Sequence, residues 1–184
     1  MKCLVTGGAG FIGSHLVDRL VELGLEVTVL DNFSSGRREN LDHVAGKIRV
    51  VNCDLGAHGA WIREFNGAEW VFHLAALADI VPSIQKPDTY FNANVVGTFN
   101  VVRASEMAGV SRFVYVASSS SYGIPDTYPT AETADIRPQY PYALTKHLGE
   151  ELVMHWEQVY DLSALSLRLF NVYGPRSRTS GTYG

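Results

Sequence analysis

Short apolar runs and longer amphipathic stretches alternate from one end of the chain to the other. The runs Lys2–Thr6, Glu26–Asp31, Ile48–Asn52, Trp70–Leu74, Arg112–Ala117 and Ala164–Phe170 have strand length and are rich in branched and aromatic side chains. Between them, helical patterns fall over Ser14–Leu23, about Gly59–Phe65, Thr89–Ala108 and Tyr142–Tyr160. This alternation predicts an α/β fold, a doubly wound parallel sheet with helices on both faces. Runs such as Phe113-Val114-Tyr115-Val116 are nearly continuous in apolar character, which fits strands buried on both sides. No internal repeat or linker interrupts the pattern. Residues 1–176 read as one domain and 177–184 as a Ser/Thr/Gly-rich loop.

The first strand runs directly into Thr6-Gly7-Gly8-Ala9-Gly10-Phe11-Ile12-Gly13-Ser14. Gly7, Gly10 and Gly13 therefore sit where a buried strand turns into a helix. Such a turn brings bare backbone N–H groups and the positive helix end to one point, which suits a pyrophosphate. A Cβ there would block the ligand or the tight turn. The spacing is G-x-x-G-x-x-G, distinct from the common G-x-G-x-x-G fingerprint. Asp31 ends the second strand about 20 residues further on. Its carboxylate can accept both ribose hydroxyls of an adenosine and would repel a 2′-phosphate, so the expected cofactor is NAD. Arg37 and Arg38 read as a solvated basic turn beside it. The domain is thus expected to be a Rossmann-like, NAD-binding unit. In such sheets ligands lie outside the carboxyl ends of the strands. Asp54, His73-Leu74-Ala75-Ala76, Ser118-Ser119-Ser120-Ser121-Tyr122-Gly123 and Asn171 all follow strands.

Bulk properties narrow the class without changing it. The 184 residues are enough for one sizeable core, and a net charge of −4 gives no basic surface for nucleic acid or anionic membrane. The apolar runs are too short to span a bilayer, and Met1-Lys2 leads straight into a strand without a signal peptide, so a cytoplasmic location is expected. Cys3 and Cys53 read as small buried thiols, and the six histidines have no ligand spacing, so no metal site is expected.

Tyr142 and Lys146 are four apart at the start of a helix and share one face. A phenol is a poor base because its pKa is about 10. A nearby ammonium, with a cationic nicotinamide ring, would stabilise the phenolate and let it take a proton from a sugar or alcohol hydroxyl. The serine run at the end of the fifth strand can hold the reacting oxygen. Ser118 is the first choice for that role and Ser119 the second.

Several motifs occur together and in order. They are the glycine turn, Asp31-Asn32, His73-Leu74-Ala75-Ala76, Asn94-Val95-Val96-Gly97-Thr98, Ser118 to Gly123, Tyr142-x-x-x-Lys146 and Arg168-Leu169-Phe170-Asn171-Val172-Tyr173-Gly174-Pro175. As a set they resemble the extended short-chain dehydrogenase/reductase family, the NAD-dependent epimerases and dehydratases, over essentially the whole chain. Within it the chain most resembles UDP-sugar 4-epimerases, including those acting on UDP-N-acetylglucosamine. Nucleotide-sugar 4,6-dehydratases carry Thr-Asp-Glu where this chain has Ser118-Ser119-Ser120, and UDP-glucuronate decarboxylases usually carry Glu at the place of Ser120. No carboxylate stands there in this chain, which disfavours elimination.

The resemblance implies roles residue by residue. Gly7, Gly10, Phe11, Ile12 and Gly13 hold the pyrophosphate. Asp31 and Asn32 hold the adenosine ribose with help from Ser35 and Gly36, and Asp54 and Leu55 flank the adenine. Leu74, Ala75 and Ala76 line the dinucleotide. Asn94 fixes the fourth strand to the helix behind it, and Phe170 belongs to the cofactor side. Lys146 touches the nicotinamide ribose as well as Tyr142. Asn171 receives the UDP-sugar, and Ser83, Ser118, Ser119 and Tyr142 face the sugar. Some UDP-glucose 4-epimerases have Lys at the place of Ala78, a contact missing here. The implied reaction removes the 4-hydroxyl proton and the C4 hydride, turns the 4-keto sugar over, and returns both to the opposite face.

Family members usually continue past the sixth strand into a smaller domain that grips the substrate, and are commonly homodimers through a four-helix bundle. The sequence therefore reads as a dinucleotide half whose substrate domain is largely missing. Besides an epimerase, a nucleotide-sugar reductase or decarboxylase and an NAD-binding module without turnover remain open. The apolar faces of Thr89–Ala108 and Tyr142–Tyr160 fit either a dimer bundle or the core.

Overall fold

The computed structural model describes residues 1–177. Six strands, β1 (Lys2–Thr6), β2 (Glu26–Asp31), β3 (Ile48–Asn52), β4 (Trp70–His73), β5 (Arg112–Ser118) and β6 (Ala164–Leu169), form one sheet. Every pairing is parallel and the order is β3-β2-β1-β4-β5-β6. The order reverses between β1 and β4, so the loops leaving these two strands part on opposite sides and open a crevice.

The apolar strands serve two cores because successive side chains face opposite ways. Cys3 and Val5 of β1, with Val27 and Val29 of β2, pack with Val17 and Leu20 of α1 (Phe11–Glu22). Leu4, Val71, Phe113 and Tyr115 pack on the other face with Val101 of α4 (Gly97–Met107) and Val153 of α5 (Pro141–Tyr160). One register row crosses the α1 side of the sheet as Val50, Val29, Val5, Phe72, Val114 and Leu165. Val29 and Val5 are fully buried, whereas Leu165 is 54% exposed. Beyond the reach of α1, a depression of about 330 Å³ lies open over Trp70, Phe72, Val114 and Leu165.

The strands match the sequence reading to within a residue at their ends, but the helices differ more. Helix α1 begins at Phe11, three residues before the expected Ser14, so Gly13 lies inside its first turn. The expected Gly59–Phe65 helix is a 3-10 helix over Ala60–Phe65. Thr89–Ala108 is three pieces: α3 (Pro87–Phe91), a π-helical segment over Asn92–Val96, and α4. Helix α2 (Ile80–Gln85) and 3-10 turns over Arg38–Asn40 and Asp42–Val44 had no counterpart in the apolar pattern. Of the expected loop at 177–184, residues 178–184 lie outside the described residues. No helix of the described residues is long and apolar enough to cross a membrane. Cys3 is buried, Cys53 half-buried, and both are free thiols.

Candidate active site

The glycine turn joins β1 to α1 at the crevice. Gly7 has φ of +70°, and a Cβ there would lie 2.7 Å from the Ala75 backbone nitrogen, so the loops leaving β1 and β4 touch. A Cβ on Gly13 would collide with the Gly7 carbonyl oxygen. Gly10 caps α1 with no side-chain hydrogen bond. The first-turn N–H groups of Phe11, Ile12 and Gly13 have no intrahelical acceptor and are available to an anion. This cradle fits a dinucleotide pyrophosphate, and side chains at Gly7 or Gly13 would close it.

A cleft of about 230 Å³ extends from that turn. Gly7, Gly10, Phe11, Ile12, Gly13, Asp31, Asn32, Ser35, Asp54, Leu55, Leu74, Ala75 and Ala76 line it, all named from the sequence. Gly36 is one step back, where a Cβ would press on Ala9 and on Asp31 Oδ2. Asp31 is held in place from both sides. Its Oδ2 accepts the Ala9 N–H at 2.9 Å and its Oδ1 the Phe33 N–H at 2.8 Å. Each oxygen keeps a free lone pair, enough for the two hydroxyls of a ribose. Leu30, Ser34, Cys53, Gly56, Leu77, Ala93 and Val116 also line the cleft and were missed. Most flank a residue that was named. Val116 carried no local signal, because only the fold brings β5 to this wall. Burial raises the Cys53 thiol to about 11, so it is a neutral wall.

The catalytic candidates sit past the end of this cleft. Ser118 ends β5, is 7% exposed, and its Oγ accepts the Ser120 N–H as the cap of the 3-10 turn Ser119–Tyr122. Tyr142 lies in the first turn of α5, just after Pro141, which is preset for a helix start. Its phenol is raised above the ordinary value by burial, while the Ser118 hydroxyl acts the other way. Lys146, one turn on, is 3% exposed, and desolvation pushes its ammonium down to about 7. Its Nζ lies 4.3 Å from the centre of the Tyr115 ring, so the cation rests on an aromatic face from β5. Ser118 thus acts on the Tyr142 phenol, although no direct Ser118–Tyr142 bond is among the described hydrogen bonds. The expected link from Lys146 to Tyr142 is not among the described hydrogen bonds, because the ammonium is turned to Tyr115.

The other candidates divide. Asn94 is buried in the π-helical segment and clamps the loop after β4: its Oδ1 accepts the Leu77 N–H and its Nδ2 donates to the Leu77 carbonyl and to Thr145 Oγ1. It supports the cleft wall without lining it. Phe170 stacks on Tyr122 with ring centres 6.3 Å apart. Asn171 is exposed in the loop after β6, and Ser119 is half-buried. Ser83 is fully buried in α2, its hydroxyl donating to the Ile80 carbonyl at 2.6 Å. Below this floor, Arg168 binds the buried Glu150 carboxylate at 2.9 Å and donates to the Tyr122 hydroxyl. Neither Glu150 nor Arg168 had been given this role, because their pairing joins α5 to β6.

Comparison with known proteins agrees with this geometry. A curated UDP-glucose 4-epimerase of Mycolicibacterium smegmatis is 41% identical over 192 residues, covering 100% of this chain and 60% of the relative. The structure of UDP-glucose 4-epimerase from Thermotoga maritima with UDP-glucose matches with a TM-score of 0.94 at 37% identity, over 100% of this chain and 60% of that one. The Thermus thermophilus UDP-glucose 4-epimerase complex with NAD matches at 0.92 and 38% identity, over 100% and 59%. The chain therefore spans about 60% of the length of the relatives it matches. The family model for the NAD dependent epimerase/dehydratase family matches residues 3–183, and with the cleft beside the glycine turn at the sheet's switch point this chain belongs to that family.

Proposed function

We propose that this chain carries the dinucleotide half and the acid–base set of a UDP-sugar 4-epimerase. The observation that supports it most is Ser118, buried at the end of β5 and acting on the Tyr142 phenol past the end of the NAD cleft, in a turn with no carboxylate at Ser118, Ser119 or Ser120. NAD held in this cleft would supply a reversible acceptor for the sugar's C4 hydride. Ser118 holds the reacting hydroxyl oxygen. Tyr142 accepts the 4-hydroxyl proton and later returns it, with the positive end of α5 helping to stabilise the phenolate. Lys146 supplies a cation under the nicotinamide ribose once it turns from Tyr115. Ser119 and Asn171 meet the nucleotide-sugar, with Ser83 behind them. Two copies associate through the outward apolar side of α4 and α5, in the cytoplasm.

The test is conversion of UDP-glucose or UDP-N-acetylglucosamine, with NAD present, to the 4-epimer, followed by NMR. Tyr142→Phe is expected to lower the rate at least a thousandfold, on the scale of losing general acid–base catalysis, with NAD affinity kept. Stoichiometric consumption of reduced cofactor would point to a reductase, and carbon dioxide from UDP-glucuronate to a decarboxylase. Saturable NAD binding with no turnover would leave a cofactor-binding unit.

A further inference from the structure

One register row on the α4/α5 side of the sheet is polar where its neighbours are apolar. Thr6, His73, Tyr115 and Ser166 stand side by side on β1, β4, β5 and β6. Thr6 is 0% and His73 1% exposed, so each hydrogen-bonding group there needs a partner inside the protein. The row lies one residue below the crevice, and its Thr6–His73 pair has not been given a role above.

The hydrogen bonds run in one direction, and proton counting fixes that direction. The Ala75 N–H donates to Thr6 Oγ1 at 3.2 Å, and Thr6 Oγ1 lies 2.6 Å from His73 Nδ1. His73 Nε2 lies 2.9 Å from Thr98 Oγ1, and that hydroxyl donates its single proton to the Asn94 carbonyl at 2.6 Å. Thr98 can therefore only accept from the imidazole, so Nε2 carries the hydrogen. Nδ1 is then the acceptor for the Thr6 proton. The other neutral tautomer would set two lone pairs face to face at Thr98. Phe113 and Tyr115 flank the ring with centroids 6.2 and 5.7 Å away, and at 1% exposure the ring is closed to bulk solvent.

Both ends of this chain of bonds are parts of the site. The Ala75 end lies where the loop after β4 meets Gly7 and lines the cofactor cleft. At the other end, the Asn94 side chain grips Leu77 and Thr145, and Thr145 donates to the carbonyl of Tyr142. We propose that His73 is a positioning residue: as a neutral Nε2–H imidazole it holds the cofactor wall after β4 in register with the start of α5 that carries Tyr142. It acts through Thr6, Thr98 and Asn94 and touches neither cofactor nor sugar. The inference rests on the cofactor reading for its consequence, though not for its hydrogen bonds.

The experiment uses the full 184-residue chain, labelled with 15N at histidine. Two-bond proton–nitrogen spectra, with His73 assigned by its absence in His73→Gln, are expected to show an Nε2–H tautomer that stays unchanged between about pH 5.5 and pH 8.5. An Nδ1–H pattern, or protonation of the His73 ring within that pH range, overturns the proposal. Amide exchange supplies the second arm. Gln keeps one acceptor and one donor, whereas Phe keeps only the shape. His73→Phe is expected to speed exchange at both Ala75 and Leu77 at least tenfold, and His73→Gln less than threefold. Thr98→Val, which cuts the same path at its next link, is expected to speed Leu77, and combining it with His73→Phe should add little further. If His73→Phe does not fold, Thr98→Val and His73→Gln decide the matter on the same two amides. Unchanged exchange at Leu77 overturns the proposal. NAD affinity is read separately and should fall about tenfold in His73→Phe and recover in His73→Gln. Equal NAD affinity in all three proteins, with the parent binding, also overturns it. Failure of the parent to bind NAD would sink the cofactor reading while the spectra and exchange still decide the role of His73.

Discussion

Lys146 shows how one buried charge links chemistry to stability. Its ammonium is pushed from 10.5 down to about 7 by burial. Between those values the unfolded chain holds a proton that the folded chain has released, so this residue makes stability rise with pH across that window. Below about 7 the folded protein carries the full penalty of a buried cation, softened by the Tyr115 face. Lys146→Met is therefore expected to stabilise the protein by on the order of 2 kcal/mol near pH 6 and to be nearly neutral near pH 10.5. Urea unfolding at the two pH values checks this, and an equal effect at both would show that the ammonium is not desolvated. Residues whose chemistry lies in type and spacing, such as Asp31, Ser118, Tyr142 and Lys146, were legible in the sequence. Tyr115 was not legible. It reads as one more apolar strand position, and its contact with Lys146 exists only because Gly149 leaves room for its hydroxyl against α5.

Between elements, the decisive contacts are those that no local pattern can encode. Strands were legible because a parallel sheet buried on both sides demands continuous apolar runs. The break at Asn92–Val96 was not, since a π-helical segment keeps a helix-like composition while shifting the phase of every later side chain. That shift accompanies the placing of Asn94 on the loop after β4, the task the motif implied without its backbone. The Glu150–Arg168 pair ties α5 to β6 in the same way. Glu150 is 5% exposed and also accepts from Ser166 at 2.6 Å. Arg168→Met leaves that carboxylate with only the Ser166 hydroxyl and no countercharge, and is expected to cost about 3 kcal/mol. Adding Glu150→Met should restore much of the loss, because a well-packed apolar pair often replaces a buried ion pair without penalty. Denaturant midpoints of both singles and the double test this, and strictly additive losses would show that the two side chains act independently.

For the whole molecule, two apolar surfaces predict different behaviour. On α5, Leu148 and Leu152 lie half-buried on one side, and α4 adds Phe99. If the proposed dimer forms on this stripe, Leu152→Glu is expected to shift sedimentation from dimer to monomer. The bare end of the sheet at Trp70 and Leu165 offers no such matched stripe. Leu165→Lys should leave that dimer intact and only raise the concentration at which larger aggregates form. A monomer at all concentrations in the parent protein would overturn the proposed dimer.

The strand order also sets a schedule. Strand β1 pairs with β2 and with β4, and the cleft uses the loops that follow both β1 and β4. The pairing of Val5 with Phe72 closes a long stretch of chain, and such closures come late because their entropy must be met before contacts reward it. During synthesis the glycine turn emerges early yet remains half a site. A growing chain gains its dinucleotide pocket only once β4 has slid in beside β1, so the cofactor can steady the finished sheet but cannot template its first hairpinless half.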